Sequence, residues 1–293
     1  MTSPKAASEP EAVLVEDAFA HCEGLVRAAD RDRFLTTLFA PAEHRGALAA
    51  LYAFNLEIAR VREVVHQPAA GEIRLQWWSD VLEGDRAEEA SANPVASALL
   101  AAIERHRLPV AKLKALVEAR RFDLYDEPMA RLADLEAYAR QTSSALLALA
   151  AQILGTGEGI DAVAGPAGVA RAFTTLLRAF PQHASRRQLY IPLDVLERHG
   201  VEPHDIFARR SPQNLRAAFA ELADIARAHL RTANENIPGL QQAVLPAFLP
   251  IALVRPSLDR LAGRDPFAPA EISPWRRQWL IWRAARNPAR IAG

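Results

Sequence analysis

Residues 168–194 read GVARAFTTLLRAFPQHASRRQLYIPLD. Apolar positions recur at helical spacing through the first half, so a helix is expected over about 161–181. The following SRRQLYIP leaves it in extended form, because the residue before Pro192 avoids helical dihedrals. Arg178, Arg186 and Arg187 gather around His183. They are candidates to grip an anion, either a phosphate or a partner carboxylate. The structural alternative is salt bridging to Glu57, Glu63 or Asp194.

The same period continues on either side. Helices are expected over 12–29, 31–39, 42–65 and 71–84, the last carrying Trp77 and Trp78. Asn93 caps the next, which opens on Pro94 and runs to about His106. Others run from Pro109 to about Leu124, and from Asp134 or Leu135 to Leu154, where Gly155 ends the helix. The rest are expected over 192–199, 203–209, 212–235, 246–264 and 274–285. Period-two alternation and Asn-Gly hairpin turns are missing. No repeat and no Gly/Ser-rich linker divides the chain. The expected architecture is all-α. A short disordered tail over 1–11 precedes a single helical domain over 12–293, wrapped around a central bundle.

Composition narrows the function. Of 293 residues, 50% are hydrophobic, enough for one large core or two modest ones. Thirty-five basic residues balance 35 acidic ones, so no nucleic-acid partner is expected. The single cysteine, Cys22, excludes an internal disulfide and a cysteine-rich metal site, and it fits a reducing compartment. The histidines form no HxxxH or HExxH pattern, so zinc is not expected. No apolar run reaches the roughly 18 residues that span a bilayer. The opening MTSPKAASEPEA has no apolar core for a secretory signal, and its acids do not suit an organelle presequence.

Residues 172–192 align without a gap to Q-L-T-N-x-x-R-D-x-x-E-D-x-x-R-G-R-x-Y-L-P, and so the segment resembles the signature helix of the squalene/phytoene synthase family. Arg178, Arg186, Tyr190 and Pro192 agree in residue type. The acids do not: Ala179 and His183 stand at the aspartate positions, Gln182 at the glutamate and Thr175 at the asparagine. The segment Tyr52–Glu63, YAFNLEIARVRE, resembles the family's first aspartate-rich motif, with D-x-x-x-D falling on Ala59 and Glu63. Asn93-Pro94-Val95, Arg120–Leu124 and Tyr138–Leu147 extend the likeness from about Phe34 to Phe248. In Tyr138–Leu147 the family's glycines, which leave room for a long isoprenoid tail, are Ser144 and Leu147, so a narrower or reshaped tunnel is expected.

The resemblance implies an isoprenoid synthase-type helical bundle with a central cavity. There the family's two acid-rich motifs hold magnesium through oxygen ligands to stabilise a departing diphosphate. Here the degenerate metal-motif positions are Ala59, Glu63, Ala179, Gln182 and His183. Glu57 lies on a different helix face from Ala59. No metal, no cofactor and no catalytic residue are therefore expected.

Several stretches resemble one subgroup of the family, the synthase-like assembly factors of mitochondrial respiratory complex I. These are Leu51–Glu57, Gln76–Trp78, Tyr138–Leu147, Leu177–Arg187 and Pro246–Leu249. The subgroup implies a non-catalytic protein whose partner is a complex I subunit or assembly intermediate. For a bacterial chain, the implied location is the cytoplasm, with peripheral contact at the inner membrane. The alternatives are a prenyl-diphosphate transferase of the head-to-head condensing type with altered metal dependence, or an isoprenoid or lipid carrier.

The candidate ligand-binding residues are Tyr52, Asn55, Glu63, Arg178, His183, Arg186, Arg187 and Tyr190, for a lipid-like or anionic ligand in the cavity. Tyr52, Tyr138 and Tyr190 have packing in the core as their alternative. Thr142, Ser143 and Ser144 are expected to bond to backbone one turn earlier. Trp275, Trp279 and Trp282 share one helix face at i, i+4 and i+7, flanked by Arg276, Arg277, Arg283 and Arg286. Trp275, Trp279, Trp282, Arg276 and Arg283 are candidates for a membrane or partner face. The alternative is a terminal helix that staples its aromatics onto the bundle.

Overall fold

The computed structural model describes residues 9–65, 67–210 and 213–293, with side chains from Leu14 onward. Of the tail expected over 1–11, residues 1–8 lie outside that range, and the chain is helical from Glu9. Pro212, the expected start of a helix, also lies outside it. All regular structure among the described residues is helical. Helices Glu9–Ala29, Ala42–Ala59 and Pro94–His106 pack together, and Ile160–Ser185 runs along Gln213–Asn236. Ala145–Leu154 lies between the two groups and touches both. It is apolar almost all round, as a helix in the middle of a bundle must be. Phe54, Trp78, Phe173 and Phe248 anchor the core.

Caps set several starts. The Asn93 side chain accepts from the backbone N–H of Val95 at 2.9 Å and of Ala96 at 3.1 Å, and Pro94 takes the first helical position. Such a cap contributes about 1 kcal/mol. Asp30 caps Arg31–Thr37 in the same way, accepting from the Arg33 N–H at 3.1 Å. That capping role also turns Asp30 toward the bundle interior.

Four departures from simple periodicity shape the interior. The segment expected as one helix over 42–65 breaks at Arg60 and resumes as Val61–Val64. Arg62 holds this last turn in its new direction, bonding the Leu124 carbonyl and, at 2.6 Å, the Asp126 carboxylate. The segment expected to end near 181 instead runs through Pro181 to Ser185. An interior proline costs roughly 3 kcal/mol. Packing offsets this: Phe180 meets Phe219 edge-on at 4.9 Å and Phe267 at 5.2 Å. The segment expected over 246–264 opens as 3₁₀ turns over Gln242–Leu253, because Pro246 and Pro250 remove two donors an α-helix would use. Within the run from Leu132 to Leu154, a π-turn over Arg140–Ser144 inserts an extra residue.

Gly168 makes a close helix crossing possible. A Cβ there would come within 2.3 Å of the Ser144 Cα, and Ser144 Oγ donates to the Gly165 carbonyl at 2.7 Å. The π-turn and the signature helix are thus pressed together beside the central cavity.

Candidate functional site

A cavity of about 630 Å³ opens between Ala42–Ala59, the 3₁₀ turn Arg120–Leu124, the π-turn and the Ile160–Ser185 helix. The starts of Arg31–Thr37 and Pro274–Arg286 complete its wall. Ala59 and Ala179, from two different helices, both line it, together with Asn55, Arg178, His183 and Tyr190. The fold therefore brings the two degenerate motifs to one space.

The other candidates stand elsewhere. Tyr52 is buried behind the wall, under the Arg33 guanidinium at 5.3 Å, and burial raises its phenol to about 12. The break at Arg60 turns Glu63 to the surface, where Arg186 binds it at 3.1 Å and Arg60 at 3.3 Å. Burial raises the Glu63 carboxyl, but hydrogen bonds from the two arginines outweigh it and hold the group below its ordinary value. Arg187 takes a left-handed backbone (φ 60°) and stacks over Phe207 at 4.9 Å. Gln182, Arg186 and Arg187 are exposed and line none of the cavity. Of the basic group expected around His183, only Arg178 faces inward.

Magnesium does not fit these donors. The carboxylates that line the cavity are Asp30, Asp32 and Asp123, and each is already tied to an arginine. Asp30 pairs with Arg33 at 2.8 Å, Asp32 with Arg277, and Asp123 with Arg120 at 3.1 Å. Among the described residues no group of three or more His, Cys, Asp or Glu side chains is placed to hold a metal ion. At the second aspartate position, burial draws the His183 imidazole down to about 4, so it is neutral near pH 7.

Six arginines line the space: Arg31, Arg33, Arg120, Arg171, Arg178 and Arg277. Three of them form no ion pair among the described residues: Arg31, which is exposed, and Arg171 and Arg178. Burial, with Arg33 close by, lowers Arg171 to about 10, and burial with Arg277 close by lowers Arg178. Burial outweighs the opposing pull of Asp30 and Asp32 on both groups.

One end of the cavity is a closed hydrogen-bond network. Asp123 accepts from Tyr138 Oη at 2.9 Å and from Tyr190 Oη at 2.8 Å, while Arg120 reaches Tyr138 Oη at 2.6 Å. His183 stacks on Tyr190 at 4.7 Å. Burial pushes both phenols up, so they remain donors. Behind His183 and Tyr190 lies a second space of only about 10 Å³, lined by Phe173, Leu177, Phe180 and Leu222. That is about one water's worth. Thr142 bonds back to the Tyr138 carbonyl at 2.7 Å, whereas Ser144 bonds across to Gly165. Ser143 Oγ is buried without a partner.

The terminal helix shows its aromatics to solvent. Trp275 is 71% exposed, Trp279 46% and Trp282 48%, while Leu280, Ile281 and Ala284 face the bundle. Arg283 lies over Trp279 at 4.5 Å and Arg286 over Trp282 at 5.0 Å. Arg276 is exposed beside them. On its inner side the same helix gives Pro274, Arg277 and Gln278 to the cavity.

Sequence reasoning missed Asp30, Asp32, Arg33, Asp123, Arg171 and Arg277 as cavity residues. A signal existed for the first three in the alternating charges of Asp30-Arg31-Asp32-Arg33 at a helix start, and for Asp123 in the RRFDL match. Arg277 comes from the far end of the chain, and nothing local marks it.

A profile of the squalene/phytoene synthase family matches residues 26–283. Over 252 residues the chain is 33% identical to NADH dehydrogenase (ubiquinone) complex I, assembly factor 6 of Rattus norvegicus, covering 86% of this chain and 76% of that protein. The Homo sapiens protein of that name is 34% identical over 246 residues, covering 84% and 74%. Phytoene synthase of Thermus thermophilus is 30% identical over 280 residues, covering 92% and 94%. Among solved structures, a dehydrosqualene synthase in complex with ligand matches with a TM-score of 0.81 at 16% identity, covering 94% of this chain and 98% of that one. At that identity the likeness shows the fold alone, the all-α bundle of the isoprenoid synthase type.

Proposed function

We propose that this chain, which belongs to the squalene/phytoene synthase family, serves the assembly of respiratory complex I and performs no prenyl transfer. The observation that carries this reading is the pair Ala59 and Ala179. Both face the cavity, and each puts a methyl group where the family's chemistry requires a carboxylate. Ionising a prenyl diphosphate calls for divalent cations on oxygen ligands. The remaining acids of this cavity are held by arginines instead. The relatives at 33% and 34% identity are named as complex I assembly factors, which supports the same role.

The likeness to phytoene synthase of Thermus thermophilus favours a second reading, a prenyl-diphosphate transferase. The donor set weighs against it, since the carboxylates of the cavity are paired with arginines.

Under the assembly reading, the partner is a complex I subunit or an intermediate. No helix among the described residues is long and apolar enough to cross a membrane. The Trp275, Trp279 and Trp282 face, with Arg276 and Arg283, supplies peripheral contact with a membrane surface in this proposal. Tryptophan and arginine at one face suit the interface between headgroups and acyl chains.

Deleting the gene in its source organism tests the role. Fully assembled complex I on native gels and unchanged NADH-driven respiration in the deletion strain would refute it. Magnesium-dependent release of diphosphate from farnesyl or geranylgeranyl diphosphate by the purified protein would establish the transferase instead.

A further inference from the structure

We propose that His44 and His106 bind one zinc-class divalent ion where two helices of the bundle meet, with water in the remaining positions. The site stands apart from the central cavity and is independent of the complex I role.

His44 lies in the first turn of Ala42–Ala59, and His106 is the last residue of Pro94–His106. These helices pack together, and the two imidazole centroids come to stand 5.4 Å apart. Neither residue lines the central cavity. His44 is 15 positions from Ala59 on its helix, which is about 22 Å at the rise of an α-helix. In the sequence 62 positions separate the two histidines, so no ligand spacing announces the pair.

Each ring has a nitrogen that is buried without a hydrogen-bond partner: Nδ1 of His44 and Nε2 of His106. Buried polar atoms normally have partners, and a bound ion is one explanation of an exception. Carboxylates reach His199, His204 and His229 but, among the described residues, neither of these two. With the proton on the other nitrogen, each buried atom presents a lone pair. Burial, with His44 and Arg105 close by, holds the His106 imidazole below its ordinary value. It is therefore neutral near pH 7 and gives up no proton when it takes a metal.

The spacing selects the ion. An imidazole nitrogen binds zinc at about 2.0–2.1 Å in a tetrahedral set. Each ring centroid then stands about 3.2 Å from the ion, and two rings at the tetrahedral angle are about 5.2 Å apart. A right angle, as in square-planar or octahedral sets, would draw them to about 4.5 Å. The observed 5.4 Å fits the tetrahedral case. The ring planes are tilted by 58°, so they intersect, and an ion on that line lies in the plane of both. Both residues are half-buried, so the ion arrives from solvent and water completes its shell. Arg105 opposes the charge of the ion, but it is exposed and its field is screened. Imidazole favours zinc and its transition-metal neighbours, whereas magnesium requires oxygen ligands. Bound there, the ion ties the start of one helix to the end of the other and stabilises the fold by mass action.

Calorimetric titration of the full chain with zinc chloride is the test. One equivalent should bind saturably and raise Tm, and magnesium chloride should do neither. His44→Gln and His106→Gln should each weaken binding by at least about tenfold, since losing even an outer partner of a metal ligand costs that much. His204→Gln, at an exposed histidine outside the pair, should leave binding unchanged. Cobalt in place of zinc should give the strong visible absorption of a tetrahedral centre in the wild type and in neither pair variant. Should a variant fail to fold by circular dichroism, the wild type still answers: zinc should protect His44 and His106, but not His204, from diethyl pyrocarbonate, as read by peptide mass spectrometry. Absent binding, binding unchanged in both pair variants, a weak six-coordinate cobalt spectrum, or equal modification with and without zinc overturns the proposal.

Discussion

Replacing Asp123 by alanine should destabilise the protein by about 4 kcal/mol. Asp123 is 7% exposed and is the acceptor at the centre of the network beside the cavity. Its Oδ2 takes the Arg120 Nη1 hydrogen bond at 3.1 Å, and its Oδ1 takes those of Tyr138 at 2.9 Å and Tyr190 at 2.8 Å. Alanine leaves a buried guanidinium with no counter-ion, which costs roughly 3–5 kcal/mol. It also strips Tyr190 of its acceptor, at about 1 kcal/mol. Arg120 is poorly placed to find relief, because its Nε is already buried without a partner. Removing both charges with Asp123→Leu and Arg120→Met should be far milder, since well-packed apolar pairs often replace buried ion pairs at little cost. Urea unfolding of the wild type, Asp123→Ala, Asp123→Leu, Arg120→Met and the Leu/Met double, followed by circular dichroism, gives the coupling energy from the last three against wild type, expected at about 1–3 kcal/mol. A loss under about 1 kcal/mol in the single alanine variant, or strict additivity in the double, would refute the reasoning.

Three further outcomes follow from the same geometry. Gly168→Ala should lower stability by about 1–3 kcal/mol, because its methyl meets the Ser144 Cα at 2.3 Å and backbone cannot step aside; an unchanged Tm would mean the crossing is not tight. Trp279→Ala with Trp282→Ala should abolish flotation with anionic vesicles while changing stability little, since exposed positions usually shift it by about 0.5 kcal/mol or less; retained flotation removes the membrane face. His183, whose pKa falls from 6.5 to about 4 on folding, binds fewer protons in the native state between those values. Stability should therefore rise with pH across that window, be complete above 6.5, and lose part of that slope in His183→Gln. An equally steep slope in the variant counts against a buried neutral imidazole, although His106, also lowered by burial, keeps a share of the wild-type slope.

Helices were legible because their signals are local. Asn93-Pro94 caps a helix wherever it lies, and Gln213–Asn236 carries its apolar stripe in its own spacing. The reading went astray where distant groups intervene. Arg62 reaches Leu124 and Asp126, more than sixty positions away, and bends the chain at Arg60. Phe219 and Phe267 hold a helical turn past Pro181 that local preference would end. Glu63, the one acid left in the motif pattern, leaves the cavity for the same reason: the break that no residue at 59–63 announces turns it to Arg186.

The loss of the acids was written in residues 52–63 and 172–192 alone, since a missing carboxylate needs no coordinates to be known as missing. What the cavity became required the fold. Its charge is the sum over side chains from both ends of the chain. Whether an arginine there is spent or available depends on which aspartate reaches it in space. Asp30 and Asp32 pair with Arg33 and Arg277 across as many as 245 positions, and Arg31, Arg171 and Arg178 form no ion pair among the described residues. Side-chain type is a property of position in the sequence. Neutralisation is a property of distance, because the Coulomb energy of an ion pair falls with separation and grows as water is excluded.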